Sequence, residues 1–302
     1  MPIHMRNYHW DDDFDRVREF LGNMFFIQRS HTNWLPTTLE NVKFGPGGTE
    51  YLEEEDEYLK IWECNGLIVA LSVTKPTGDC HLSIHPDVVT SAREIVLWMQ
   101  ERIRSFKEHE SVKMRLVVDD ADEELRSILT GLGFEEDEIE GDNQIWPVGS
   151  PIPDYFLPDG YTIRNAIIEE DYERYRRVQK AVFPHIKSMS NTLLDTYSKA
   201  TFYKEELDIV AVAPDGEFAA FCTARIDPVS RITELEPVGT HPAHRKLGLG
   251  KAVILETFKR LQKFKPTAVV ILGAAPTEGA RGLYKSVGFV RESTAHYWAK
   301  TV

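Results

Sequence analysis

Residues Thr240–Ala252 read THPAHRKLGLGKA and lie between a predicted apolar strand and a predicted amphipathic helix. At such a junction the first N–H groups of the helix have no intrahelical acceptor, and the helix dipole is positive. Gly248 and Gly250 carry no side chain that would keep an anion away from these N–H groups. Arg245 and Lys251 add full positive charge. The stretch therefore predicts a pyrophosphate-binding loop.

Two other phosphate motifs do not fit this stretch. A P-loop requires a glycine five residues before Gly250, where the chain has Arg245. It also requires Ser or Thr after the lysine, where the chain has Ala252. The dinucleotide fingerprint requires a further glycine at the position of Val253. An ordinary glycine-containing helix start is the structural alternative, but the preceding strand, the following helix and the flanking cations favour pyrophosphate binding.

The loop and a second motif resemble the GCN5-related N-acetyltransferase (GNAT) superfamily. Residues 245–250, RKLGLG, are similar to the coenzyme A pyrophosphate motif of that family. Residues 280–289, ARGLYKSVGF, resemble its other recurrent motif. Thr277 stands three residues before the alanine, where the family often has asparagine. The resemblance implies acetyl-CoA as a cosubstrate and no metal.

By the same resemblance, the coenzyme contacts come from the end of the preceding strand, the loop, the first helical turn and the start of the second motif. These residues are Val238, Gly239, Thr240, Arg245, Lys246, Leu247, Gly248, Leu249, Gly250, Lys251 and Thr277. Pro237 lacks an N–H and interrupts a strand ladder, which suits the splayed strand by which the family admits pantetheine. The pantetheine amides are then expected to pair with the backbone of residues 238–240.

Acetyl transfer to an amine requires loss of an ammonium proton and stabilisation or protonation of the departing thiolate. Tyr284 stands where the resembled family commonly keeps its general acid. The alternative is a tyrosine whose ring packs in the core with its hydroxyl at the surface.

Two carboxylates on the strand before the loop are candidates for the base. A period of two places Glu234 and Glu236 on one face of that strand, where the resembled family often has its base. A partly desolvated glutamate with a raised pKa performs this role near neutral pH. Glu236 is favoured because it is closer to the loop; solvated edge carboxylates are the alternative. His241 and His244 are other possible bases, although a turn role is expected for His241.

The chain contains an internal repeat. Three residue pairs recur in the same order at offsets of 158, 156 and 155: Arg6-Asn7 with Arg164-Asn165, His85-Pro86 with His241-Pro242, and Gly133-Phe134 with Gly288-Phe289. Each copy predicts a mixed α/β sheet with packed helices, and each is expected to close with two short strands. The expected fold is therefore two tandem GNAT-like domains, at residues 1–148 and 161–302, joined by a proline-containing linker at 149–160.

The first copy lacks the residues of the coenzyme motif. Aligned at the His-Pro pair, it has Val89, Ala92 and Glu94 where the second copy has the loop arginine and the two glycines. Aligned at the Gly-Phe pair, Leu129 takes the place of the tyrosine. We therefore predict that only the second copy binds acetyl-CoA productively, and that the first copy shapes the acceptor site or is purely structural.

Charge and cysteine content exclude several classes of protein. Of the 302 residues, those through Ser150 include 14 basic and 30 acidic ones, whereas the remainder has 21 and 18. The acidic half argues against nucleic-acid binding and suits either solubility or a cationic substrate. Acidic runs such as residues 135–138 are expected to be solvated loops. The three scattered cysteines and the lack of a long apolar run predict a cytoplasmic protein without a membrane segment or a cysteine-rich zinc site.

The resemblance and the residues together predict an N-acetyltransferase that acts by direct attack of an amine in a ternary complex. The acceptor is expected to be a small-molecule amine or a protein N-terminus, with contacts from Phe183–Tyr203 and the acidic N-terminal half. The alternative is a non-catalytic acyl-CoA-sensing or interaction module. The sequence indicates no oligomeric state.

Overall fold

The computed structural model describes residues 3–29, 32–45, 55–106, 111–184 and 197–302. We call the residues before 149 the N-terminal half and those after 160 the C-terminal half. The elements of the N-terminal half are β1 (His4–Asn7), α1 (Trp10–Ile27), α2 (Pro36–Phe44), α3 (Glu55–Tyr58), β2 (Leu59–Cys64), β3 (Leu67–Thr74), β4 (Asp79–Ile84), a 3-10 helix (Pro86–Ser91), α4 (Ala92–Phe106), β5 (Lys113–Asp119), α5 (Glu123–Gly131) and β6 (Glu135–Trp146).

The C-terminal half repeats most of this order. Its elements are β7 (Thr162–Asn165), α6 (Ile168–Val182), a 3-10 helix (Glu205–Leu207), β8 (Asp208–Val212), β9 (Phe218–Ile226), β10 (Ile232–Thr240), a 3-10 helix (Pro242–His244), α7 (Leu249–Leu261), a 3-10 helix (Gln262–Phe264), β11 (Ala268–Ala274), α8 (Glu278–Ser286) and β12 (Val290–Thr301). Residues 147–161 form no helix or strand. The domain boundaries around them stay a prediction.

Local networks around the repeated pairs confirm the internal repeat. The guanidinium of Arg6 donates to both carboxylate oxygens of Asp13 at 2.6 Å. Arg164 does the same with Asp171, at 2.5 and 2.7 Å. In each copy the aspartate lies seven residues after the arginine and also accepts the N–H of the residue four positions before it. These pairs tie the first strand of each copy to its first helix.

The repeated histidines form turns, as expected for His241. Nδ1 of His85 accepts the N–H of Asp87, and Nδ1 of His241 accepts the N–H of Ala243, both at 3.2 Å. Each histidine is thus the N-cap of the 3-10 helix that precedes a long helix. Nδ1 of His241 is therefore occupied by the turn.

The two halves share one sheet through exchanged strands. The described strands form a twelve-stranded sheet in the order β1-β2-β3-β4-β5-β12-β6-β11-β10-β9-β8-β7. β12, from the C-terminal half, pairs antiparallel with β5 of the N-terminal half. β6, from the N-terminal half, pairs antiparallel with β11 of the C-terminal half, and β6 and β12 pair with each other. The final strand of each copy therefore completes the sheet of the other.

The exchanged strands correct two expectations. Each copy closes with one strand of 12 residues rather than with two short strands, because both strands pair on both sides and take up irregularities as shifts of register. The acidic run at residues 135–138 lies in β6 and is not a loop, although its side chains are exposed. Its charges meet cations on the sheet surface: Asp137 lies 2.6 Å from Lys113, and Glu136 lies 3.6 Å from Arg126.

A cleft opens in the C-terminal half because two parallel strands diverge. β10 pairs with β11 only over Ile232–Glu234. Beyond that point β10 continues to pair with β9, but its ladder shifts register between Leu235 and Val238, around a cis Glu236–Pro237 bond. This break confirms that Pro237 interrupts the ladder. Helix α7 packs on β8, β9 and β10 with a largely apolar face. Its first residues line the cleft.

Among the described residues, no helix is long and apolar enough to cross a membrane. The same residues include no group of three or more His, Cys, Asp or Glu side chains placed to hold a metal ion.

Candidate active site

The loop before α7 presents unpaired backbone donors. Lys246 and Gly248 both have positive φ, of 64° and 80°, and α7 begins at Leu249 with Gly248 as its N-cap. The first satisfied helical N–H is that of Ala252, which donates to the carbonyl of Gly248 at 3.0 Å. The N–H groups of residues 249–251 donate to no backbone carbonyl of the described part of the chain. Three donors and the positive end of the helix dipole therefore meet here, as an anion site requires.

Glycine is required at the two loop positions for different structural reasons. A Cβ at Gly248 would meet nothing within 4 Å, so glycine is needed there for its left-handed φ. A Cβ at Gly250 would lie 2.8 Å from Oγ1 of Thr240 and 3.4 Å from Cδ2 of Leu283. The expectation that both glycines make room for an anion is therefore incomplete, because Gly250 also lets α7 approach β10 and α8 closely.

A pocket of about 1100 Å³ lies beside these donors. It brings together ten of the predicted coenzyme residues, namely Val238, Gly239, Thr240, Arg245, Lys246, Gly248, Leu249, Gly250, Lys251 and Thr277. Leu247 is absent from its wall, and its side chain is 41% exposed. The motif alone does not reveal which side chains of this turn face the pocket.

The two predicted carboxylates are separated by the structure. Glu236 lines the pocket with an exposed side chain, and desolvation by the surrounding pocket walls raises its pKa to about 7, with Arg225 opposing that rise and Glu234 and Glu140 adding to it. Glu234 does not line the pocket; its carboxylate accepts a hydrogen bond at 3.0 Å from Oγ1 of Thr37 in α2. The two-residue repeat of a strand predicts that both carboxylates lie on one face of β10. The register shift after Leu235 and the contact with α2 instead give the two side chains different surroundings.

Tyr284 lies in the same pocket and is only 8% exposed. Burial raises the pKa of its hydroxyl, and the nearby Cys222 and Glu236 add to the rise, so the group is protonated at neutral pH. No described side chain hydrogen-bonds this hydroxyl. Thr277 is the N-cap of α8, where its Oγ1 accepts the N–H of Ala280 at 3.2 Å. Threonine therefore retains the capping contact at the position where the resembled family often has asparagine.

Several pocket residues were not predicted, and three of them interact with Glu236 or Arg225. Arg225 on β9 could have been identified from the sequence, because it is the only charged residue in the strand sequence FAAFCTARI. Tyr197, whose hydroxyl accepts from Nε of Arg225 at 3.0 Å, lies within the predicted acceptor segment without having been singled out. No neighbouring residues indicate that Glu140 lies in the pocket, because only the exchange of β6 brings it to the C-terminal half. Of the predicted acceptor segment Phe183–Tyr203, residues 185–196 lie outside the described residues.

The corresponding cleft of the N-terminal half is crossed by its own chain. β4 and β5 also pair over only a short parallel stretch. Between them, Oγ1 of Thr32 accepts the N–H of Asp119 at 3.0 Å, and the N–H of Trp34 donates to Oγ of Ser83 at 3.1 Å. The Trp34 ring stacks on His81 with centroids 4.6 Å apart. Residues 32–34 thus bridge both strands where the C-terminal half has its pocket.

Known proteins share these features. Residues 167–289 match the model of the acetyltransferase (GNAT) family. The mycothiol acetyltransferase of Paenarthrobacter aurescens (strain TC1) is 32% identical over 152 residues, which are 48% of this chain and 47% of the relative. That of Streptomyces coelicolor is 27% identical over 150 residues, 48% of each chain. The matches therefore span about half the length of these curated relatives.

Solved structures are similar over the whole chain. A GCN5-related N-acetyltransferase from Sphaerobacter thermophilus superimposes with a TM-score of 0.68 at 14% identity, covering 99% of this chain and 95% of that one. A tandem GNAT protein from the clavulanic acid biosynthesis pathway gives a TM-score of 0.65 at 14% identity, covering 99% and 98%. At this identity the likeness concerns the fold.

The splayed strands, the donor-rich helix start and the pocket between them lie in the half of the chain that matches an acetyltransferase family. More narrowly, residues 167–289 belong to the acetyltransferase (GNAT) family, and the chain has the fold of tandem GNAT proteins.

Proposed function

We propose that this protein is an N-acetyltransferase whose C-terminal half transfers the acetyl group of acetyl-CoA to an amine by direct attack in a ternary complex. The observation that carries the proposal is one continuous pocket. It joins the unpaired N–H groups at the start of α7 to the carboxyl of Glu236, which is exposed to the pocket, and to the buried hydroxyl of Tyr284. Anion-binding donors, a base and an acid therefore share one cavity.

The residues at the mouth suit acetyl-CoA bound as a cosubstrate. The N–H groups of residues 249–251, with Arg245 and Lys251 beside them, would hold the pyrophosphate. Residues 238–240 of β10 pair with β9 on one side, and β11 has diverged on the other. Their outward-facing backbone groups are therefore open to the amides of pantetheine.

Glu236 is the proposed base. Its pKa of about 7 leaves a substantial fraction ionised at neutral pH while keeping it basic enough to take a proton from an ammonium group. An acceptor that loses this proton becomes a neutral amine and attacks the thioester carbonyl. The base acts directly or through a water.

Tyr284 is the proposed acid. Its hydroxyl is buried, protonated and free to donate. Donation of this proton to the departing coenzyme sulfur neutralises the thiolate as the carbon–sulfur bond breaks, and the tyrosine oxygen takes back the proton that the attacking nitrogen loses as the amide forms. The acceptor enters the pocket from the side opposite the coenzyme. The names of the relatives favour a small-molecule amine over a protein N-terminus as this acceptor.

We expect one molecule of acetyl-CoA to bind per chain. Thr32 and Trp34 cross the N-terminal cleft, and Glu94 replaces a loop glycine there, so that half offers neither space nor an attractive charge. Isothermal titration calorimetry measures the stoichiometry. Two equivalent sites would contradict the assignment of coenzyme binding to the C-terminal half.

Gly250→Glu should reduce acetyl-CoA binding below detection. The new side chain crowds Thr240 and brings a negative charge to the pyrophosphate donors. Calorimetry measures the affinity, and circular dichroism confirms that the variant is folded. Gly282→Glu is the matched control, because Gly282 is exposed on α8 and a Cβ there meets nothing within 4 Å. Undiminished affinity in a folded Gly250→Glu variant would refute the loop assignment.

Thiol release from acetyl-CoA across a panel of amines tests the reaction itself. Release that depends on the amine, with equimolar N-acetylated product, supports the transferase. Coenzyme binding without release for any amine would instead support the acyl-CoA-sensing alternative.

A further inference from the structure

Arg225 is a buried cation in the reaction pocket to which the proposed chemistry assigns no task. It is 7% exposed, lies near the end of the otherwise uncharged strand β9, and lines the same cavity as Glu236. A buried arginine is retained only when partners compensate for its lost hydration. Its partners therefore indicate its role.

The contacts of Arg225 hold its position but leave the end of its guanidinium open. Nε donates to the hydroxyl of Tyr197 at 3.0 Å, and the guanidinium carbon lies 5.7 Å and 5.4 Å from the ring centroids of Tyr197 and Phe202. Within the described ranges, the two terminal nitrogens make no hydrogen bond or ion pair. A rigid fork of donors is thus presented at the pocket without an acceptor.

The carboxylates near Arg225 do not bind its two terminal nitrogens. Glu234 is its direct cross-strand partner in the β9–β10 ladder, but its carboxylate is engaged by Thr37. Glu236 is near enough to influence Arg225 electrostatically, yet the two form no ion pair. Asp208 also interacts electrostatically with Arg225, but its carboxylate accepts hydrogen bonds from Tyr175, Tyr203 and Thr223. The open donors therefore point to an anion supplied by a ligand.

The N-terminal half holds this arrangement in place. Phe44 at the end of α2 packs on the cluster of Tyr197, Ala200 and Phe202. The backbone N–H and Oγ1 of Thr201 both donate to the carboxylate of Glu40 in α2.

A second tie restrains the strand that carries Arg225. Nε of Arg18 in α1 lies 2.8 Å from Oδ1 of Asp227, two residues after Arg225. The ring clamp and the end of β9 are therefore both fixed by helices of the N-terminal half.

We propose that Arg225 binds a carboxylate of the acetyl acceptor, so that the acceptor is an amino acid or another amine bearing a carboxylate. Resting on the proposed function, this places the ammonium group at Glu236 and the carboxylate at the guanidinium. A planar carboxylate matches the two terminal donors of arginine. The product is then an N-acetylated carboxylic acid.

The test compares amino acids with their carboxamides as acceptors for the full-length protein. We expect kcat/KM to be about 10- to 100-fold higher for the acids, the range of a hydrogen-bonded charge pair. Arg225→Gln should abolish this preference, and Arg225→Lys should keep only part of it, because lysine lacks the fork. Arg177→Gln is the matched control, since Arg177 on α6 does not line the pocket and pairs with Glu217 at 2.9 Å. Equal rates for acids and amides in the wild-type protein would overturn the proposal.

A purely electrostatic role of Arg225 towards Glu236 has a different outcome. It predicts that Arg225→Gln slows acids and amides equally, and that result would also overturn the proposal. If Arg225→Gln fails to fold, the ratio of kcat/KM for acids to kcat/KM for amides, measured in the wild type and in Arg225→Lys, still tests the proposal.

A binding measurement separates this proposal from the proposed function. We expect N-acetylated amino acids, as product analogues, to bind the wild-type protein with CoA present at least about tenfold more tightly than their carboxamides. Thiol release from carboxamides alone would leave the transferase in place and refute the carboxylate site. Selective binding of the acids without turnover would refute the transferase and retain the anion site, whereas binding of neither would refute the site.

Discussion

Replacing Glu236 with glutamine should lower kcat by about 10²- to 10⁴-fold, the usual contribution of a general base. Glutamine keeps the shape of the side chain but takes up no proton from the acceptor ammonium. Because the proposed coenzyme contacts come from the loop and the start of α7 and not from this carboxyl, acetyl-CoA should bind with unchanged affinity. Steady-state kinetics and calorimetry measure the two quantities. Wild-type turnover in this variant would exclude Glu236 as the base.

The pH dependence gives this prediction a second readout. Desolvation by the pocket walls raises the pKa of Glu236 to about 7, although Arg225 counteracts it. In the wild-type protein kcat should therefore rise with pH to a plateau above about 7, and fall about tenfold per unit well below it. Glu236→Gln should lose that step. A wild-type profile that is flat from pH 5 to 8 would contradict the assignment.

The same group makes a signed prediction about stability. The folded protein holds the Glu236 proton more tightly than the unfolded chain, so this group lowers stability as pH rises from its ordinary pKa to about 7. Glu236→Gln removes that loss. Its melting temperature relative to wild type should increase between pH 5 and pH 8, as differential scanning calorimetry measures.

Glu234→Gln separates the two candidate carboxylates. Its carboxylate accepts from Thr37, outside the pocket, and glutamine can still accept that bond through its side-chain carbonyl. We expect the step in the pH profile of kcat to persist in this variant. Loss of the step here, with its survival in Glu236→Gln, would reverse the assignment.

Replacing Tyr284 with phenylalanine should lower kcat by about a hundredfold, near the low end of the range for acid–base catalysis. The effect is smaller than for the base because a thiolate is a fair leaving group, with a thiol pKa of about 8.5 in ordinary surroundings. The ring packs against Phe289 with centroids 5.7 Å apart, and phenylalanine preserves that contact. Stability and coenzyme affinity should therefore change little.

A matched variant controls for the loss of a tyrosine hydroxyl. Tyr155→Phe removes a hydroxyl that donates to Glu256 at 2.9 Å, away from the pocket. It should retain wild-type kcat. Unaltered chemistry-limited turnover in Tyr284→Phe would remove this hydroxyl from the acid role and leave the thiolate to depart unprotonated.

Local features of the molecule were predictable from spacing alone. The strand, loop and helix around Gly248 follow from a short run of residues, because backbone conformation and helix-start chemistry depend on near neighbours. The repeat was visible for the same reason, since each anchor forms a turn or an arginine–aspartate pair within a few residues, as His85 and His241 show. The break at Pro237 follows from its missing N–H.

Long-range partners were decided by the tertiary structure. The sequence favoured Glu236 over Glu234 by position, but only the docking of α2, with Thr37 beside Glu234, separates their surroundings. The exchange of β6 and β12 brings Glu140 to the opposite half, and no local pattern encodes which strands become neighbours. The partners of Arg225 were likewise not predictable from the sequence. Its lone charge was visible within an apolar strand, yet whether a buried charge is paired depends on packing between residues far apart in the chain.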